Sequence, residues 1–487
     1  MLIFSPWAFG TTQRWSSWTM NLCGYSLGIL LGIKTWIRHV TKTSGSIPGS
    51  SSRFGFNRRT TAHLLGALTS AILLYCFISA VNARATFDAL SGQLRYHDCV
   101  AWLPHSLDSR GSWDAFLRLL ALSCSFWAAH DWLRAPDADK PRTLKGRADA
   151  AVSTRIRRLL WLLTLSGGLL ALEGITQRIA RSPKLLFLML PEFLADPATQ
   201  FASFAYRGNA GQYFNLLWPV CFGLWWTGRR TRPNHSILHD SWKLVCIGLM
   251  AACPLLSSAR GAALVDVAML ALAGTVFAME TLARDDRHYV KKSRGEVLLI
   301  ACFMGASLSL GAGLGWKELW PRLGQAQADL KAREELYERA RLIAGDYDLF
   351  GTGPGTFGAV FQLYRKSPDD YWPAQLHNDW LETRLTFGWT GTALIGSWLL
   401  VLVLGELSRG SARAHWPLNF CLWLALAGCL VQARWDFPLQ VYSILFLFMI
   451  WCSMLLADPE ASEHPPVAAG FHENVSPKPL TETLVGR

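Results

Sequence analysis

The sequence predicts an all-α polytopic membrane protein, a bundle of about eleven to twelve spanning helices, because backbone groups in hydrocarbon must be satisfied within each segment. Three observations lead there. Of 487 residues, 51% are hydrophobic and only 17% charged. Apolar stretches of about 20 residues, enough to cross a bilayer as helix, recur along the length. Lys and Arg gather on every second connecting segment, which is the positive-inside pattern.

Spans are expected near residues 19–37, 61–81, 112–133, 159–176, 212–227, 241–259, 261–283, 297–315, 386–407, 416–433 and 438–456. The basic groups lie around Arg38–Arg59, Arg134–Arg158, Arg229–Arg232, Arg284–Arg294 and Arg409–Arg413. A net charge of +12 would suit nucleic acid, but charges placed this way mark cytoplasmic loops, so nucleic acid is not an expected partner. The alternate segments 82–111, 177–211, the turn at 260, 316–385 and 434–437 then face outward. This organisation gives one membrane domain, 1–457, with the long outer loop 316–385 inserted in it, and a proline-rich tail, 458–487, expected to be disordered. It also puts the amino terminus outside, and the opening MLIFSPWAFG reads as the tail of an apolar span.

The 11 cysteines form no framework: all but Cys99 fall in spans, where a thiol acts as a small hydrophobe. No CxxC or HExxH occurs, so neither a metal nor a cofactor is expected. Among the 23 tryptophans, those at span ends such as Trp113, Trp225, Trp226, Trp316, Trp320 and Trp416 read as interfacial anchors.

Against that background a few polar residues on the outward side stand out. In SSARGAAL, Arg260 and Asp266 are the only charges between Lys243 and Glu280. An Arg at a span centre costs about 2.5 to 3.5 kcal/mol, and the positive-inside rule disfavours one on the outer side. Anion binding is the natural role, since the guanidinium fork matches phosphate oxygens. In YRGNAGQYF, Arg207 and Asn209 stand just ahead of a span on the same face; a loop Arg beside a glycine is more often solvated, but two guanidiniums on one face could clamp a pyrophosphate. Residues 322–345 have apolar positions at helical spacing and are expected to form an amphipathic helix along the membrane surface. The turn GTGPG follows, where Gly351, Gly353 and Gly355 offer close backbone approach to a ligand or a plain turn; the Lys-Ser/Thr of a Walker loop is absent. His377 and Asn378 then precede the next span, with Asp379 and Glu382 nearby, and helical geometry would set His377 and Arg384 on one side. An imidazole there can take a proton from a hydroxyl or bond a phosphate.

SSARGAAL, then REELY with DLFGTGPGTF, then HNDWLETRLTFGWTG together resemble the signature block of the O-antigen ligase and O-antigen polymerase superfamily. The resemblance runs from about Ala205 to Gly391 and extends weakly to ARWDFPLQ around Asp436. It implies a GT-C-like helical fold in the bacterial inner membrane and a glycan transferred from undecaprenyl pyrophosphate to an acceptor hydroxyl on the periplasmic face, without metal. The acceptor is the lipid A core in ligases, another repeat unit in polymerases, or a protein Ser or Thr in a third branch, with the ligase taken as the leading expectation. It implies catalytic roles for Arg260, Arg207 and His377, the last as base or as pyrophosphate ligand. It implies substrate contacts from Asn209, Arg333, Gly353, Gly355 and Asn378. Asp348 departs from the pattern, where Pro is common. A polysaccharide flippase or exporter is the competing non-enzyme reading, but would want charges inside its spans.

Overall fold

The computed structural model describes residues 1–41, 58–88, 90–135, 152–191, 199–231, 237–283, 290–324, 326–364, 373–408 and 416–457. Parts of the basic clusters and the tail from Asp458 lie outside them. The described residues form fourteen helices and one two-stranded antiparallel ribbon, β1 (Ala85–Asp88) with β2 (Gln93–Tyr96). The helices are α1 (Phe4–Trp7), α2 (Arg14–Thr41), α3 (Arg58–Val81), α4 (Ser109–Arg134), α5 (Thr154–Ile179), α6 (Arg207–Thr231) and α7 (Ile237–Leu256). They continue as α8 (Arg260–Ala283), α9 (Val290–Gly324), α10 (Ala326–Asp346), α11 (Phe357–Phe361), α12 (Asp379–Leu407), α13 (Trp416–Gln432) and α14 (Tyr442–Ala457).

The protein is an all-α polytopic membrane protein. Each expected span coincides with one helix, and α3, α5, α8, α9 and α12 are long and apolar enough to cross a membrane by length and composition. Most helix ends lie a few residues from the expected bounds, and two of these differences bear on the site. α12 begins at Asp379 rather than 386 because the Asn378 side chain accepts from Leu381 N at 3.2 Å and caps the helix there. α9 continues to Gly324, so the amphipathic helix starts only at Ala326. The opening residues make the single turn of α1 and a 3-10 turn at Phe9–Thr11, with Phe4 and Trp7 packed against the core.

α6 is the axis of the bundle. Every residue from Gly208 to Thr227 is buried, and α5, α7, α8, α13 and α14 all pack on it. Surrounded by protein rather than lipid, it can carry polar side chains if they are partnered across helices. Asn215 Nδ2 donates to Ala262 O at 2.9 Å and Trp218 Nε1 to Asp266 Oδ1 at 2.9 Å, so two bonds tie α6 to α8. Trp225 and Trp226, expected as interfacial anchors, are instead buried in an aromatic cluster with Phe222, Phe277 and Trp416. Ring packing inside the bundle, not a lipid boundary, accounts for them. Trp316 and Trp320 are exposed, as expected of anchors.

The segment between α9 and α12 has its own small core. α10 buries Tyr337, Ala340, Ile343 and Ala344 against Phe357, Val360 and Phe361 of α11, together with Leu107, Leu376 and Leu385. Its apolar stripe is therefore met by protein, which fixes where the polar residues of the same helix point.

Candidate active site

Arg207 is the first residue of α6 and Arg260 the first of α8, and the two bonds between these helices lie within three turns of both. A helix start carries the positive end of the helix dipole, so each guanidinium reinforces a local field already favourable to anions. Between them opens a cavity of about 470 Å³, in the range of small-molecule sites. Arg207, Arg260 and Arg333 line it with Tyr206, Asp329, Gln432 and Asp436, and its remaining wall is largely apolar, from Leu264, Val265, Ala268, Leu330, Val431 and Trp435. A cavity with cations at one part of its lining and hydrocarbon elsewhere suits an anionic head on an apolar chain.

Two of the cations have partners in the cavity wall. Arg260 pairs with the carboxylate of Asp329, and Arg333 Nη1 donates to Trp435 O at 2.7 Å. Asp436 carries the link to His377: its Oδ1 lies 3.2 Å from His377 Nδ1, and its Oδ2 lies 3.5 Å from Tyr206 Oη. The Phe437 ring stacks on Tyr206 at 5.2 Å between centroids and meets the His377 ring edge-on at 4.8 Å. Burial, and then the neighbouring Asp436 carboxylate, push the Tyr206 hydroxyl above its ordinary range, so it remains a proton donor to that carboxylate.

His377 has φ +57°, a left-handed conformation costing a non-glycine residue about 1 to 2 kcal/mol. The surroundings impose it from both sides. Tyr337 Oη donates to the His377 carbonyl at 2.8 Å, Leu376 N donates to Glu382 Oε2 at 2.8 Å, and Asn378 caps α12 immediately after. The partner segment is fixed in the same way: Asp379 N donates to Ala433 O at 2.8 Å, and Asp379 Oδ2 accepts from Leu439 N at 2.8 Å. Glu382 and Asp379, noted only as neighbours in the sequence, thus position the two segments that bring His377 to Asp436.

Of the expected site residues, Arg207, Arg260 and Arg333 share the cavity, and His377 adjoins it through Asp436. The others stand elsewhere. Asn378 is spent on the helix cap. Asn209 is buried on α6 and is not part of the lining; its Oδ1 has no partner among the described residues. Gly353 and Gly355 pack on the start of α4, with φ of +105° and +76°. A Cβ on Gly353 would lie 2.6 Å from Ser106 Cβ, and one on Gly355 2.5 Å from Gly111 O. Leu107 N donates to Thr352 O and Ser112 Oγ to Pro354 O, each at 2.8 Å, so the turn is a staple between the segment preceding α12 and the start of α4. Arg384 departs from His377 because α12 starts after it; its guanidinium pairs with Asp348 and lies over Trp389 at 4.2 Å. Asp436, Tyr206 and Asp329 were not singled out as site residues. The only hints were an acidic residue in the short outer segment ARWDFPLQ and a tyrosine beside Arg207.

Residues 245–396 match the family model described as O-antigen ligase. The matched stretch holds Arg260, Asp329, Arg333, the glycine turn and His377, while Arg207 and Asp436 lie outside it. No curated protein and no solved structure matches the chain.

Proposed function

We propose, from the premise that this chain belongs to the O-antigen ligase and polymerase superfamily of membrane glycosyl-transfer enzymes, that it moves a glycan from a polyprenyl pyrophosphate carrier to an acceptor hydroxyl. The observation that supports this reading best is the cavity itself: three arginines at one apolar pocket, bordered by a His377–Asp436 pair.

The chemistry follows from the placement. The donor pyrophosphate sits against Arg207, Arg260 and Arg333, with its polyprenyl chain along the apolar wall. Asp436 accepts from His377 Nδ1–H, leaving the lone pair on Nε2. Nε2 takes the proton of the acceptor hydroxyl as its oxygen attacks the anomeric carbon. The bond from that carbon to the pyrophosphate oxygen breaks, and the electron pair leaves with polyprenyl pyrophosphate. Charge grows on the leaving group during this step, so the guanidiniums bind the transition state more strongly than the ground state, as rate enhancement requires. On this reading His377 is the base and not a pyrophosphate ligand, and the reaction proceeds without metal. The acceptor assigned is the lipid A core, which makes the protein an O-antigen ligase of the bacterial inner membrane working on its periplasmic face with undecaprenyl pyrophosphate as carrier.

The test is glycan transfer by purified protein in proteoliposomes, offered a polyprenyl-pyrophosphate-linked glycan with lipid A core, with a second linked glycan, or with a Ser/Thr peptide. Product on lipid A core is expected; extension of the linked glycan alone would make it a polymerase, and product on peptide alone a protein glycosyltransferase. His377→Ala is expected to lower turnover about 100-fold or more at unchanged yield of folded protein. Wild-type-like turnover in that variant would remove the base from the mechanism.

A further inference from the structure

The mechanism above creates a difficulty at its end, and α10 carries a device that answers it. Cleavage converts a pyrophosphate diester into a monoester with one more ionisable oxygen, so the product is the stronger anion. Arginines that stabilise the transition state hold that product more tightly than the donor. Something must compete for them if the enzyme is to turn over.

Asp329 is placed to do this. Its carboxylate pairs with the Arg260 guanidinium, and both line the cavity. The Asp329 side chain is 53% exposed and that of Arg260 23%, so the acid can swing away while the base stays in the wall. Two other residues at four-residue intervals on the same helix, Arg333 and Tyr337, fall on the same stripe as Asp329. Arg333 bonds Trp435 O and Tyr337 bonds His377 O, so α10 stays docked when the first contact opens. A carboxylate tethered that close acts at high effective concentration and recloses without having to diffuse in.

We propose that Asp329 is an intramolecular competing anion: donor pyrophosphate displaces it from Arg260, and its return helps to expel the polyprenyl pyrophosphate product. This rests on the transfer reaction proposed above. The same competition weakens donor binding, and because the Asp329 carboxylate is half-exposed the effect is modest, about twofold to fivefold.

The experiment compares wild type with Asp329→Asn in the proteoliposome assay. The variant is expected to show a donor KM and a product inhibition constant for polyprenyl pyrophosphate each about twofold to fivefold lower. Its single-turnover rate is expected to match wild type, while its multiple-turnover rate falls and a burst of product appears. Asp329→Glu restores steady turnover; Glu334→Gln, whose carboxylate pairs with Arg341 away from the cavity, changes nothing. A higher KM with a slower single turnover would make Asp329 a scaffold residue and overturn the proposal, as would unchanged kinetics. A wild-type protein that transfers no glycan refutes the transfer reading instead, and calorimetry with inorganic pyrophosphate on detergent-solubilised protein then decides for Asp329. Tighter binding to Asp329→Asn supports a competing anion, and equal or weaker binding overturns it.

Discussion

The arginine cavity and the glycine turn read from the sequence as parts of one site, yet they answer different physical demands. Around Arg207, Arg260 and Arg333 there is open space, lined by their guanidiniums together with Asp329 and Asp436. Around Gly353 and Gly355 there is no space: Ser106 and the Gly111 carbonyl stand where a side chain would begin. Glycines that leave room for a ligand and glycines that leave room for the protein itself look identical in sequence. What separates them is what fills the vacated volume, here Ser106 and the first turn of α4.

The sharpest way to break this comparison is charge removal in the cavity. Arg260→Ala is expected to cost about 100- to 1000-fold in turnover, the range for deleting one preorganised transition-state donor, while thermal stability in detergent changes little. Arg207→Ala should follow the same pattern if both arginines grip the same group. A large loss of stability in either would move that arginine from the chemistry to the scaffold. Next comes Gly353→Ala, for which the order of effects reverses. Its φ of +105° and the Ser106 contact predict a stability loss of about 1 to 3 kcal/mol, read as a lower unfolding midpoint, with donor KM unchanged in the fraction that remains folded. A raised KM at intact stability would return the turn to the binding site. The smallest effect belongs to the axis beneath both regions. Asn215→Leu removes the bond to Ala262 O, and intramembrane hydrogen bonds average about 0.6 kcal/mol, so the midpoint should fall slightly and activity more, if the tie sets the spacing of Arg207 and Arg260. Activity that tracks stability alone would deny it that positioning role.

Legibility follows the range of the interaction. Apolar segments were readable because hydropathy and helix length are properties of about 20 consecutive residues, and each of the expected spans is a helix. Arg260 was readable because a cation after a long uncharged stretch is locally out of place. His377 was readable through the residues beside it, though its sequence neighbourhood misled in one respect. Arg384 belongs to the helix that starts after His377 and turns away to Asp348. Trp225 and Trp226 misled similarly, since a tryptophan at a helix end packs equally well against lipid headgroups or against Phe277 and Trp416. The Asp436–His377 and Asp329–Arg260 pairs span 59 and 69 residues, beyond any local pattern.

By itself, then, the sequence determined that this chain is a bundle of apolar helices with a few cations and one imidazole outside the pattern. The cost of unpaired polar groups in hydrocarbon admits few other arrangements. Tertiary structure decided which of those groups meet. Buried bonds from Asn215 and Trp218 set α6 beside α8, and so bring their first residues, two arginines, to one cavity. The buried carboxylates of Glu382 and Asp379 hold two separate turns so that His377 faces Asp436. Which side chains become neighbours depends on packing summed over the whole bundle, and no local stretch of sequence contains that sum.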